Sequence, residues 1–191
     1  DNDSDYHAVN RNLDYPTLAS RTSAIAQRRP DLNLTPEEIV DLLEQPNAWE
    51  PALEPGPNLR LTERELSDGR LFLAFNHQRI EVLMPGDILE IPLDQVGQTY
   101  RALINKVTNH QDGTLTWHGE LTEFDQGSYV SITQSGSAAS IGIFLPDSHH
   151  TLRSFSGDGW VTDSRNIHKQ MQGNDIVHIR DVLTKQSQQQ P

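Results

Sequence analysis

From Arg70 onward, apolar and polar residues alternate with a period of two. Leu71, Leu73 and Phe75 point one way, and Arg70, Phe72 and Ala74 the other. This period places successive side chains on opposite faces of a strand. Further strands are predicted at 78–84, 88–91, 99–108, 114–121, 129–134, 140–145, 151–155 and 160–162. Turn residues separate them: Pro85-Gly86-Asp87, the Asp112-Gly113 hairpin signal, Gly136, and Gly157-Asp158-Gly159. Short strands with turns at this spacing predict an antiparallel sandwich or barrel. No helix-length pattern interrupts them, which argues against a parallel α/β sheet.

The first part of the chain reads differently. Residues 18–27 suit a short helix ended by Pro30. Thr35-Pro36-Glu37-Glu38 has the form of a capping box and predicts a helix over 35–45. Ile39, Leu42 and Leu43 form its apolar face, and Pro46 stops it. Pro46, Pro51, Pro55 and Pro57 then mark an extended linker that carries Trp49. A tryptophan in a linker is expected to dock, because its large surface is costly to leave in water. Near the C-terminus, Ile176, Val177, Ile179, Val182 and Leu183 suit a last strand or short helix before a Gln-rich tail.

These readings combine into a mostly β fold. A small antiparallel β-sandwich or barrel core is expected over 69–163. An extended, partly helical N-terminal arm precedes it (1–68), and a polar C-terminal arm and disordered tail follow it (164–191).

Composition narrows the function classes. Hydrophobic residues make up 35% of the 191, which suits one compact unit with less structured flanks. The net charge is −12. Residues 31–68 carry ten Asp or Glu against only Arg60 and Arg64, a local charge of −8. Negative charge repels phosphate, so nucleic acid and anionic membranes are poor partners. The absence of cysteine excludes disulfides and thiolate metal sites. No apolar stretch is long enough to span a bilayer. The opening Asp1-Asn2-Asp3 suggests that a signal or anchor has been removed, which fits a periplasmic location.

Catalytic patterns are missing. No pair of histidines flanks a glutamate at helical spacing. His149 and His150 are adjacent, and adjacent strand residues face opposite ways, so they are poorly placed to chelate one ion. Gln134-Ser135-Gly136-Ser137 lacks the nucleophile-elbow form and reads as a hairpin turn. Gly157-Asp158-Gly159 has neither the lysine nor the helix of a phosphate loop. Glu120, Glu123 and Asp125 are close in sequence, but carboxylates are common in this chain. Trp117, Trp160 and Tyr129 admit a carbohydrate-binding platform, although Trp117 shares the core phase of Leu115 and Leu121. No catalytic residue, metal ligand or cofactor is assigned.

The strands also carry a family resemblance. Thr114-Leu115-Thr116-Trp117-His118-Gly119 resembles a strand of the pro-regions of secreted bacterial zinc metalloproteases. Tyr129–Thr133, Ser140–Pro146, and Thr151-Leu152-Arg153 with Gly159-Trp160-Val161 resemble the strands that follow it. The similarity spans about 70–165, and no His-Glu-x-x-His motif follows. It therefore implies an excised propeptide or inhibitor, or a separate prodomain-like chaperone of a type II-secreted zinc metalloprotease (CpaB-like), which is favoured. On that reading Leu18, Ile25, Ile39, Leu42, Leu43, Trp49 and Leu53 dock on the protease client.

Overall fold

Nine strands form one antiparallel sheet that curls into a nearly closed barrel, seen in a computed structural model that describes residues 1–125 and 127–165. In chain order they are β1 (Trp49–Ala52), β2 (Leu71–Phe75), β3 (Ile88–Leu93), β4 (Gln98–Asn109), β5 (Leu115–Leu121), β6 (Tyr129–Ser135), β7 (Ala138–Leu145), β8 (Ser148–Phe155) and β9 (Asp158–Asp163). From β3 to β9 each strand pairs with its sequence neighbour, and β2 and then β1 complete the sheet beyond β9. The two ends of the sheet, β1 and β3, meet at a seam. There the Glu90 amide donates to the Pro46 carbonyl at 2.8 Å, and Trp49 Nε1 donates to the Pro92 carbonyl at 3.2 Å. Both seam strands carry a proline, Pro51 and Pro92, which lacks a donor for strand addition.

The alternation works as expected. Leu115, Trp117, Leu121, Val130, Ile132, Ile141, Ile143, Leu152 and Val161 point inward and fill the barrel. Trp117 is fully buried, with its Nε1 donating to the Leu83 carbonyl at 3.1 Å. Gly119 lies beside it where strands crowd: a Cβ there would stand 3.2 Å from Ile104, Leu103 and Val130 atoms.

Residues 78–84, predicted as a strand, instead form helix α5 (His77–Glu81) and a buried turn. Two facts explain the difference. The Asn76 side chain accepts from the Gln78 and Arg79 amides and so caps a helix. The residues from Arg79 to Met84 are all buried, which a strand with one wet face does not allow. Ile80 and Leu83 enter the barrel core, while Val82 and Met84 enter a second, helical core. This segment plugs one end of the barrel and belongs to both.

The second core comes from the N-terminal part. Helices α1 (Asn2–Val9), α2 (Leu18–Arg28) and α3 (Pro36–Glu44) bury Tyr6, Leu18, Ile25, Ile39, Val40 and Leu42 against Val82 and Met84. The capping box of α3 is present: the Glu38 amide donates to Thr35 Oγ1, and the Thr35 amide to Glu38. The N-terminal part is helical, as expected in part, and its first 45 residues pack on the barrel plug instead of extending from it. Short helices are marginal alone, and pooling their apolar faces with Val82 and Met84 makes them stable. The proline-rich linker contributes β1, and a single-turn helix, α4 (Glu63–Leu66), precedes β2. The expected last strand or helix at 176–183 and the Gln-rich tail lie outside the described residues.

Candidate functional site

The barrel interior is filled by side chains, so the exterior is where a partner finds room. Strand register lines up one outward row across six strands. Ile88 on β3 faces Leu103 on β4, Leu103 faces Glu120 on β5, and Glu120 faces Tyr129 on β6. Tyr129 faces Phe144 on β7, and Phe144 faces His149 on β8. Three of these apolar residues are well exposed: Ile88 at 48%, Leu103 at 39% and Tyr129 at 42%. A row of apolar and aromatic side chains on an outer wall, interrupted here only by Glu120, marks an interaction surface more than scattered single residues do.

The β6–β8 part of the row is a stacked aromatic ladder. The Tyr129 and Phe144 ring centroids are 4.4 Å apart with 17° between planes, and those of Phe144 and His149 4.3 Å apart with 13°. Gly142 makes room for it: a Cβ at that position would lie 2.8 Å from Phe144 Cε2. Because the rings turn their faces to one another, they do not form the open platform that sugar stacking uses.

Beside Tyr129 the wall dips into a cleft of about 770 Å³. Leu103 and Asn105 of β4, His118 and Glu120 of β5, and Phe124 and Asp125 of the following turn line it. Asn105 Nδ2 donates to Glu120 Oε1 at 3.2 Å. Glu123 points elsewhere, accepting from the Arg101 amide at 3.0 Å. The three carboxylates singled out in sequence therefore divide between the cleft (Glu120, Asp125) and a local contact (Glu123).

Two polar clusters lie inside the barrel. His77 Nδ1 meets Gln134 Oε1 at 3.1 Å, and Gln134 Nε2 donates to Glu81 Oε1 at 2.7 Å. Glu81 in turn pairs with Arg29 at 2.9 Å. In the other cluster, His150 Nδ1 meets Gln95 Oε1 at 2.9 Å, and its Nε2 meets Ser148 Oγ at 3.2 Å. Burial lowers the pKa of both histidines, keeping them neutral. Asp163 also approaches Nε2, at 4.0 Å. A serine relay needs nucleophile and carboxylate on opposite ring nitrogens, and here both face the same one. His149 and His150 point to opposite faces, as strand alternation requires. Among the described residues no group of three or more His, Asp or Glu is placed to hold a metal ion.

The residues expected to dock on a partner are placed as follows. Leu18, Ile25, Ile39 and Leu42 are brought together in the helical core, with Leu43 half-buried against them. Trp49 is buried in the barrel core, stacked on Phe75 at 6.0 Å. Leu53 is fully exposed on its own. The outward strip of Ile88, Leu103, Tyr129, Phe144 and His149 was not anticipated. Its one sequence signal is an apolar residue on the polar phase of a strand, as in Ala102-Leu103-Ile104.

The family model described as the BamI lipocalin-like domain matches residues 44–168, more than half of the chain. The chain belongs to the BamI lipocalin-like domain family. The match spans the whole barrel from the end of α3. It overturns the resemblance to metalloprotease pro-regions and to chaperones of such proteases, which rested on residues now inside the BamI lipocalin-like match. The physical reason is that those motifs are barrel packing: Trp117 fills the interior, and Gly119 and Gly159 sit where a Cβ would meet a neighbouring strand. Such patterns recur wherever strands crowd. No curated protein sequence matches the chain. A solved structure described as "Structure of a chaperone-substrate complex" is similar at a TM-score of 0.50 and 17% identity. That match covers 62% of this chain and 86% of the other, and it speaks for the shared fold. No helix among the described residues is long and apolar enough to cross a membrane.

Proposed function

We propose that this chain is a non-catalytic, chaperone-like binding module that holds a partner polypeptide against the outer wall of its barrel. The observation that carries this reading is the exposed row from Ile88 through Leu103 and Tyr129 to the Phe144–His149 stack. The filled interior argues against the small-molecule cavity that barrels of this kind can enclose. Prolines on both seam strands argue against capture by strand addition. The row crosses the strands, one residue from each, and offers apolar and aromatic contacts to the side chains of a segment laid over it. The similar solved structure, a chaperone with its substrate, agrees in kind. A periplasmic setting is part of the same proposal.

Photo-crosslinking tests it. A crosslinking residue replaces Leu103 or Tyr129, and a control replaces exposed Ser140 on another part of the barrel. The expected result is a discrete polypeptide adduct in the host cell from the first two positions and none from Ser140. Equal labelling from all three, or none, overturns the proposal. Suppression of aggregation of a denatured model protein, lost on Tyr129→Ser, checks the chaperone-like part.

A further inference from the structure

The cleft beside Tyr129 has a composition that the strip does not share. Leu103, Phe124 and Tyr129 give it apolar walls, while Glu120 and Asp125 bring two carboxylates to it. Neither carboxylate forms an ion pair among the described residues, although Arg101, on the same strand as Leu103, is paired with Glu123. Asn105 holds one Glu120 oxygen, which fixes the carboxylate and leaves its other oxygen unbonded among the described residues. Ser128, also in the lining, is 5% exposed, and its hydroxyl has no hydrogen-bond partner among the described residues. A buried hydroxyl left unpaired costs stability unless something completes it.

We infer that this cleft receives a lysine or arginine side chain of the bound polypeptide. This rests on the proposed binding of a polypeptide along the wall and names the residue type that sets its register. A long basic side chain suits the site at both ends. Its methylene stem lies along Leu103, Phe124 and Tyr129, and its charged head reaches Glu120 and Asp125. An acidic side chain is repelled there. A neutral apolar one fills the walls but leaves both carboxylates partly desolvated without a counter-charge. The overall charge of −12 favours the same kind of partner by drawing basic segments in from a distance.

The test uses the full chain and a fluorescein-labelled peptide of alternating Thr and Phe with one central Arg. Two companions carry Leu or Glu in place of that Arg. The Arg peptide is expected to bind tightest and the Glu peptide weakest, with the Arg preference shrinking as salt rises. Glu120→Gln lies on an exposed position and is expected to leave the thermal melt unchanged. It weakens the Arg peptide by up to about fivefold, the upper end for exposed charge pairs, and leaves the Leu peptide unaffected. Tyr129→Ser weakens all three. If Arg and Leu peptides bind equally and Tyr129→Ser still weakens both, wall binding stands and the basic-residue cleft is refuted. If none of the peptides binds, both readings fall.

Discussion

Arg21 and Asp87 form a buried bidentate ion pair, at 2.6 and 2.8 Å, between the helical core and the barrel. Arg21 comes from α2, and Asp87 from the Pro85-Gly86-Asp87 turn that leads into β3. The network around the pair is complete. Arg21 also donates to Tyr6, Asn10 and the Val82 carbonyl, and Asp87 accepts from Asn12 and the Met84 amide. Gly86 lies at φ 97°, and a Cβ there would meet Asn12 at 2.6 Å. The turn is thus shaped by the helices it holds.

Asp87→Ala is expected to destabilise the chain by about 3–5 kcal/mol, because it strands a buried guanidinium. Replacing both partners by apolar residues, Arg21→Met with Asp87→Leu, removes the stranded charge but takes a hydrogen bond from Asn12, the Met84 amide and the Val82 carbonyl, so it is expected to recover only part of that loss. Urea unfolding of the single and double variants measures both. A single-variant loss below about 1 kcal/mol would mean that water reaches the pair.

Trp117→Ala is expected to cost about 3–5 kcal/mol through the cavity it opens. It also leaves the Leu83 carbonyl without its indole donor. Trp117→Phe keeps most of the volume and isolates the hydrogen bond, so its loss is expected to be smaller by at least half. Thermal melts of the two variants separate the contributions.

Acid is expected to weaken the fold in two steps. His77 and His150 have pKa values lowered by burial, so the native state holds them neutral. A lowered folded pKa contributes stability that is present above the unfolded value of 6.5. That stability is lost as pH falls through the lowered folded value. Asp163 and Asp68 follow in the carboxylate range, held down by hydrogen bonds from Arg165 and Arg70. Unfolding free energy measured against pH is expected to start falling below about 6.5. In His150→Gln the first step is smaller, and the second keeps its main cause, the hydrogen bonds from Arg165 and Arg70, while losing the lesser contribution of His150 to Asp163. A first step of the same size in that variant refutes the assignment.

Gly142→Ala is expected to separate stability from binding. The new methyl displaces the Phe144 ring and breaks the stack with Tyr129 and His149. The ring can swing into solvent, so stability is expected to change by less than about 1 kcal/mol. Binding of the Arg-containing peptide is expected to weaken. Unchanged binding would show that the ladder's order plays no part in recognition.

Local periodicity made most of the barrel legible. Alternation located eight of the nine strands' neighbourhoods within a few residues, apart from β1, and assigned Trp117 to the interior. Thr35 and Glu38 announced α3 because a capping box is a contact three residues long. These features depend on near neighbours, so they can be read without knowing the fold. The errors share the opposite property. Residues 78–84 looked like a strand because helix and strand are hard to separate in a short apolar run that is buried almost throughout. The apolar residues of the N-terminal helices looked available to a partner, because nothing local says that Val82 and Met84 will cover them.

Sequence alone determined the strand phases, the turns, the capped helix and the acidic character, each set by the geometry of a few adjacent residues. Tertiary structure decided which apolar residues stay outside. Ile88, Leu103, Tyr129 and Phe144 are far apart in the chain and become one strip only through inter-strand register, which closure of the whole barrel sets. It likewise decided that Arg21 and Asp87, 66 residues apart, would meet away from water, a pairing that depends on two cores forming against each other.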